Sequence, residues 1–226
     1  MTVLLVMAKA PVAGTVKTRL CPPATPVRAA RIAAAALRDT LDAVRATPGV
    51  TPVLALRGIL ADAEDAAALT AALTGWTVLA QRGDGLGDRL ANAHADVAAA
   101  WPGRPIVQIG MDTPQVTPAR LGFTVRRLLA VDAVLGRAFD GGWWALGLRD
   151  ARHAAALREV PMSTAQTGRR TLAALGDRGL RTAPAPVLRD VDEWPDALAV
   201  AAEVPDSRFA RAVAPLHRAL LRGGRP

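Results

Sequence analysis

Short apolar segments alternate with amphipathic helical segments through the first 130 residues, and this alternation restricts the fold more than any other feature. Residues 3–8 form a continuous apolar run of strand length, whereas residues 26–46 repeat apolar side chains at helical spacing. Further strand-like runs are each followed by a helical segment. The pattern predicts right-handed crossovers and a Rossmann-like α/β fold, with a mostly parallel sheet and helices on both faces.

Turn and capping residues set the boundaries of the predicted elements. Thr25 and Pro26 are typical of a helix N-cap and first turn, and Asp62 is predicted to cap a helix that ends near Leu73. After residue 135 the alternation loosens, which predicts a mixed sheet in the C-terminal half. The predicted strands are residues 3–8, 53–56, 76–79, 105–109, 133–135 and 143–148, with short extended stretches near Thr182 and Val187. Further helices are predicted over residues 88–100, 118–130 and 164–175, and beyond Pro195.

The sequence has no internal repeat and no low-complexity linker. We therefore expect one domain over residues 1–205, followed by a basic helix and tail over residues 206–226. Hydrophobic residues make up 51% of the chain and charged residues 21%, which is enough for a large core in a soluble protein. No apolar run approaches the roughly 20 residues of a membrane helix. The amino end lacks a basic leader region, and a single cysteine, Cys21, excludes an internal disulfide; both predict a cytoplasmic protein without membrane attachment.

The net charge of +8 favours anionic ligands. Only two of the 28 basic residues are lysines, Lys9 and Lys17, and both lie close to the amino end. The arginines are scattered, and aromatic residues make up only 4% of the chain, so platforms for stacking bases are scarce. Nucleic-acid binding therefore ranks last among the possible functions, behind binding of a small anionic molecule.

The loop of residues 8–20, after the first predicted strand, is a candidate phosphate-binding segment. Lys9, Lys17 and Arg19 supply positive charge, and Gly14 gives the backbone freedom to approach a ligand. The loop is neither a Walker A motif nor the glycine fingerprint of dinucleotide-binding proteins. Its position at the carboxyl end of a strand favours nucleotide binding, and the alternative is a solvated basic loop.

Aspartates follow two other strand ends. Asp112 comes after the strand of residues 105–109 and is well placed to hold Mg²⁺ or Mn²⁺ together with substrate phosphates. The alternative for Asp112 is a turn or helix cap. Asp190 and Asp192 share a face if their segment is extended, so either could join Asp112 on a metal. The alternative is that one of them caps the helix that begins near Pro195.

Two glycine-rich turns carry further acidic candidates. Asp140 precedes Gly141–Gly142, which permit close backbone approach to a ligand. Trp143 and Trp144 then point to opposite faces of a strand, and we interpret them mainly as core residues. Asp84 lies in a glycine turn that enters a helix, where a ribose or phosphate could bind.

Six segments resemble, in this order, a bacterial family of glycosyltransferase-A-like proteins of unknown function, assigned as nucleotide-diphospho-sugar transferases and found with radical-SAM and arsenosugar genes. The segments are AKAPVAGTVKTRL, GDGLGDRL, IGMDTP, DGGWWALGL, MSTAQT and DVDEWPDAL. The resemblance implies that Lys17 and Arg19 lie in the nucleotide loop, that Asp112 is the metal-binding aspartate and that Asp192 is a second carboxylate. The segments VKTRL and DVD also resemble the phospholactate guanylyltransferase group.

Glycosyl transfer from a nucleotide-diphosphate sugar to a small acceptor is the first hypothesis. Lys17 and Arg19 would steady the donor, a metal at Asp112, with Asp192, would neutralise the leaving diphosphate, and Asp140 would hold the acceptor or act as base. Guanylyl or cytidylyl transfer from a nucleoside triphosphate to a phosphorylated small molecule is the second. A nucleotide-binding module without catalysis is the third.

Overall fold

The structure, a computed structural model, describes residues 1–223 of the chain. Its strands are β1 (Thr2–Lys9), β2 (Val50–Arg57), β3 (Thr77–Ala80), β4 (Ile106–Gly110), β5 (Ala133–Ala138), β6 (Trp143–Leu148) and β7 (Thr182–Leu188). Its α-helices are α1 (Pro26–Arg45), α2 (Ala66–Ala72), α3 (Leu86–Ala100), α4 (Pro118–Leu128), α5 (Thr167–Gly176), α6 (Trp194–Glu203) and α7 (Arg208–Gly223). Short 3₁₀ helices cover Thr18–Leu20, Leu60–Asp62 and Ala151–Arg158.

The strands form one sheet in the order β3-β2-β1-β4-β6-β5-β7. Strand β6 runs antiparallel to β4 and β5, and the other neighbouring strands are parallel. Since β1 leads outward to β2 and β3 before the chain returns to β4 on its other side, the order of the strands reverses between β1 and β4. The predicted mostly parallel α/β fold and its mixed C-terminal half are confirmed.

Helices cover both faces of the sheet, as predicted. On one face α1 and α4 bury Leu37 and Leu121 against the sheet. On the other face α3 and the 3₁₀ helix Ala151–Arg158 bury Val97 and Leu157. Helix α1 starts as expected, since Thr25 accepts a hydrogen bond from Arg28 N at 3.3 Å and Pro26 occupies the first turn.

The predicted helix cap at Asp62 is wrong. Asp62 ends a 3₁₀ turn, and α2 begins only at Ala66. Tertiary contacts hold the intervening segment: Glu64 N donates to Pro11 O at 2.9 Å, and Arg38 bonds Asp65 at 2.9 Å. Other boundaries also differ from expectation: α5 starts three residues late, at Thr167, and the stretches near Thr182 and Val187 form the single strand β7. Strands β2 and β5 are longer than predicted, since β2 begins at Val50 and β5 ends at Ala138.

The C-terminal segment packs against α1. Phe209 and Val213 of α7 are buried in a cluster with Ile32 of α1 and Val200 of α6. The domain boundary at residue 205 stays a prediction, and residues 224–226 of the expected tail lie outside the described residues. None of the described helices is both long and apolar enough to cross a membrane.

Candidate functional site

A cavity of about 780 Å³ opens where the order of the strands reverses. In doubly wound sheets this reversal separates the loops after two neighbouring strands, and ligands bind in the crevice between them. Here the loop after β1 and the turn after β4 line the cavity together with the β5–β6 turn and the segment after β7. The cavity therefore joins segments that lie far apart in sequence.

Lys17 extends from the loop after β1 toward the segment after β7. Its ammonium contacts Asp112 Oδ1 and donates to Val191 O, and it lies 3.7 Å from Asp192 Oδ1. The side chain is only 9% exposed. Lys17 also has a φ of 49°, in the left-handed region that residues other than glycine rarely adopt. The backbone is thus held in an unusual conformation where this side chain enters the cavity.

Asp112 is a cavity residue and not a helix cap. Thr117 caps α4, because its side chain accepts from Arg120 N at 3.2 Å. The backbone of Asp112 is tied to the segment after β7, since Asp112 O accepts from Val191 N at 2.9 Å. The carboxylate, 46% exposed, is left to interact with Lys17 and with solvent.

Three other carboxylates converge beside it, and we call Asp140, Asp190 and Asp192 the acidic group. One oxygen of each lies within 4.8 Å of the others. The expected capping role of Asp190 or Asp192 is wrong, because Glu193 N donates to Asp196 Oδ2 at 3.1 Å and these two residues form the capping box of α6. The acidic group is therefore free of a capping function.

Burial and mutual repulsion disfavour the charged form of Asp190 in the acidic group. Burial raises the pKa of Asp190 to about 6, and the neighbouring charges of Asp140 and Asp192 add to this shift. Lys17 acts in the opposite direction but does not compensate for it. A further cation near these oxygens would relieve the repulsion.

A close backbone contact fixes Asp140. Gly141 has a φ of +90°, and a Cβ there would lie 2.1 Å from Ala165 O. Gly168 N donates to Gly141 O at 2.8 Å, so the turn is tied to the start of α5. Asp140 Oδ1 in turn accepts from Gly142 N at 2.7 Å. The glycines position the carboxylate, in keeping with the sequence interpretation of this turn.

The other predicted site residues divide into two sets. Arg19 lines the cavity and bonds Asp192 Oδ2 at 3.1 Å, and Lys9 lines it while donating to Thr15 O at 2.6 Å. Gly14 and Asp84 are exposed and do not line the cavity among the described residues. The structure thus brings together Lys9, Lys17, Arg19, Asp112, Asp140 and Asp192, and leaves Gly14 and Asp84 outside.

The two tryptophans take opposite sides of β6, as expected. Trp144 is buried, and its Nε1 donates to Pro186 O at 2.8 Å. Trp143 is half-buried at the cavity wall and donates to Thr171 Oγ1 at 3.1 Å.

Several lining residues were not predicted from the sequence. Thr113 and Gln108 are buried at the cavity wall, and Thr113 Oγ1 and Gln108 Oε1 have no hydrogen-bond partner among the described residues. Arg57 and Arg89 line the same cavity. Arg89 belongs to the GDGLGDRL turn, which the sequence indicates as a candidate phosphate or ribose site, whereas the position of Arg57 at the end of a predicted strand is its only signal.

Residues 40–164 match a family model described as an uncharacterized protein conserved in bacteria (DUF2064). The matched region covers more than half of the chain and includes Asp112 and Asp140. Among curated proteins, none matches this sequence.

Solved structures show the same fold over nearly the whole chain. A Desulfovibrio desulfuricans G20 protein, named as a nucleotide-diphospho-sugar transferase, superposes with a TM-score of 0.83 at 24% identity, covering 99% of this chain and 98% of the other. The manganese complex of Rv0371C from Mycobacterium tuberculosis H37Rv gives 0.54 at 22% identity, covering 90% and 100%. A cytidylyltransferase from Leptospira borgpetersenii serovar Hardjo-bovis gives 0.56 at 15% identity, covering 96% and 94%. These structural similarities establish the α/β fold that the sequence predicts for the chain.

Proposed function

We propose that this chain, which belongs to the bacterial family of uncharacterized proteins DUF2064, is a metal-dependent transferase that uses a nucleotide-activated donor, foremost a nucleotide-diphosphate sugar. One observation carries the proposal: carboxylates and basic side chains converge on a single cavity where the sheet reverses its strand order. Cations suit the phosphates of such a donor, and clustered carboxylates suit a divalent ion.

The acidic group fits Mg²⁺ or Mn²⁺. Asp140, Asp190 and Asp192 offer carboxylate oxygens, the ligands these hard cations prefer, and their oxygens lie close enough to share one ion. When bound, the ion would neutralise charge on the leaving diphosphate. The manganese in the fold relative Rv0371C supports a cation of this kind.

Asp112 is not one of the three carboxylates of the acidic group, and its own carboxylate contacts Lys17. A metal shared by Asp112 and Asp192, as the sequence predicts, would take the position that the Lys17 ammonium has between them. Binding there requires Lys17 to turn away. The freed ammonium, with Arg19, would then reach phosphate oxygens of the donor, as would Lys9 at the end of β1.

Asp140 lines the cavity together with Trp143. Its carboxylate would bind the hydroxyl of a small acceptor or accept its proton during transfer. The short turn, in which Gly141 approaches Ala165 closely, gives the fixed geometry that such a role needs.

Nucleotidyl transfer is the second candidate. The cytidylyltransferase among the fold relatives is matched along 96% of this chain, and this shared fold supports nucleotidyl transfer as a candidate reaction. Lys17 and Arg19 would then bind a nucleoside triphosphate, and pyrophosphate would leave.

Product analysis separates the candidates. The protein is incubated with a panel of nucleotide sugars and of nucleoside triphosphates, each with Mn²⁺ or with EDTA. Release of nucleoside diphosphate supports glycosyl transfer, and pyrophosphate release with a phosphorylated acceptor supports nucleotidyl transfer. Tight nucleotide binding without either product supports a binding module.

A pair of variants tests the role of the acidic group in the same assay. Asp192→Asn should abolish turnover. Asp177→Asn, which changes an exposed carboxylate at the end of α5, serves as the matched control.

A further inference from the structure

Arg57 and Arg89 line the cavity, yet neither forms an ion pair within residues 1–223. Many surface arginines of this chain do have carboxylate partners, among them Arg82 with Asp96. Asp88, next to Arg89 in sequence, is bonded by Arg158 Nη1 at 2.7 Å and is therefore already engaged. The two cavity arginines thus carry uncompensated positive charge.

The fold places these two side chains on one face of the sheet. Val53 and Ala55 of β2 pack on the side that α3 covers. Since alternate strand residues share a face, Arg57 continues this row beyond the apolar core. Arg89 lies in the first turn of α3, directly above that end of the sheet. Lys9 pairs with Arg57 across β1 and β2, which adds a third cation.

One hydrogen-bond donor of the Arg89 side chain has no acceptor among the described residues. Its Nη1 donates to Asp84 O at 3.0 Å, but its Nε is buried and has no partner among the described residues. A buried N–H without an acceptor costs stability. Burial lowers the pKa of Arg89, and the charge of Arg57 lowers it further, so the two guanidinium groups repel one another. An anion between them would satisfy the free donor and remove the repulsion.

The acidic group is not that anion. Within residues 1–223, no carboxylate of the acidic group forms an ion pair with Arg57 or Arg89. A ligand that engages both these arginines and a metal held by the acidic group would therefore carry anionic oxygens at two places.

We propose that Arg57 and Arg89 bind an anionic group of the substrate, a phosphate or a carboxylate, separate from the phosphates that the acidic group would bind through a metal. This inference rests on the proposed function, because it assigns the acidic group and the two arginines to one reaction. It narrows the substrates to those in which donor and acceptor together present two separated anionic groups.

Calorimetric titration with inorganic pyrophosphate and with malonate, both in EDTA, tests the site without any metal. The wild-type protein should bind at least one of them. Arg57→Gln and Arg89→Gln should each weaken that binding about tenfold or more, since a charge-assisted hydrogen bond is lost. Arg57→Glu should abolish it. Arg152→Gln, an exposed arginine paired with Asp150, serves as the control and should change nothing. Preference for pyrophosphate assigns a phosphate group, and preference for malonate a carboxylate.

Absence of binding to the wild-type protein, or equal affinities in the wild-type, Arg57→Gln and Arg89→Gln proteins, would overturn the inference. A separate titration with Mn²⁺ alone distinguishes this failure from that of the proposed function. Arg89→Gln should bind Mn²⁺ like the wild type, because the acidic group is untouched. If the wild type binds pyrophosphate through the arginines but binds no Mn²⁺, the result supports the anion site and contradicts the metal-dependent function.

Discussion

The ammonium of Lys17 lies 3.7 Å from Asp192 Oδ1 and so links the first loop of the chain to the segment after the last strand. The same ammonium contacts Asp112, and it partly neutralises the carboxylates of the cavity. We expect Lys17→Met to raise the affinity for Mn²⁺ about tenfold, because a competing positive charge is removed. Calorimetric titration with MnCl₂ measures the effect.

Lys9→Met provides the comparison, since Lys9 donates to a backbone carbonyl and has no carboxylate partner in the described part of the chain. Its Mn²⁺ affinity should match that of the wild type. A weaker affinity in Lys17→Met than in the wild type would show that Lys17 does not compete with the ion.

Asp112→Asn should weaken metal-dependent nucleotide binding while leaving Tm almost unchanged. The carboxylate is about half exposed, and Thr117 rather than Asp112 caps the following helix, so little stability depends on it. Thermal unfolding and nucleotide titration on the same samples test both parts. A fall in Tm of several degrees with unaltered nucleotide binding would assign Asp112 a structural role instead.

The sheet and the loops beside it could be predicted because strong local patterns specify them. The apolar run of β1 and the Thr25–Pro26 helix start are properties of neighbouring residues, and the structure confirms both. Asp62 shows the limit of such reasoning. The residues around Asp62 are typical of a helix N-terminus. Contacts of the following residues with Pro11 and Arg38 nevertheless hold the backbone out of the helix until Ala66.

The candidate site depends on contacts between distant segments, which a single sequence does not contain. Alternation put Asp190 and Asp192 on one face, but only the parallel pairing of β7 with β5 brings Asp140 beside them. The pairing of Lys17 with Asp112 and Asp192 likewise requires the strand order. Arg57 carried no distinguishing local pattern in an arginine-rich chain, and Arg89 was indicated only by its place in the glycine turn that enters α3, so neither was among the predicted site residues.

Gly141→Ala should destabilise the fold and displace Asp140. The residue has a φ of +90°, and the added Cβ would lie 2.1 Å from Ala165 O, so the backbone must move. We expect a loss of about 3 kcal/mol in the free energy of unfolding, together with weaker Mn²⁺ binding. Urea denaturation gives the first quantity.

Gly179→Ala is the matched control, because Gly179 has a φ of +74° but open space around the new Cβ. That change should cost only about 1 kcal/mol, the penalty of the left-handed backbone alone. Equal losses at the two positions would mean that the contact with Ala165 does not constrain the turn.

His94 should make the protein sensitive to acid. Burial lowers its pKa from the ordinary 6.5 to about 4. The unfolded chain therefore binds a proton that the folded protein excludes between these values. The contribution of neutral His94 to the free energy of unfolding is therefore complete above pH 6.5. It is lost as the pH falls toward 4, by about 3 kcal/mol in total.

Urea denaturation of the wild type and of His94→Gln between pH 7.5 and 4 isolates this contribution. The wild type should lose about 3 kcal/mol more than the variant over this range, whereas His217→Gln, a change on α7, should follow the wild type. Parallel pH profiles for the wild type and His94→Gln would contradict a neutral buried imidazole.

The most direct test of nucleotide binding at the acidic group is calorimetric titration of a panel of nucleoside diphosphates into the wild type and into Asp190→Asn/Asp192→Asn, each with Mn²⁺ and with EDTA. We predict that at least one nucleotide binds the wild type with Mn²⁺, and at least about tenfold more weakly with EDTA or with the double variant. Affinities that are the same in all four conditions, or no binding by any nucleotide, would contradict the proposed metal-dependent transferase.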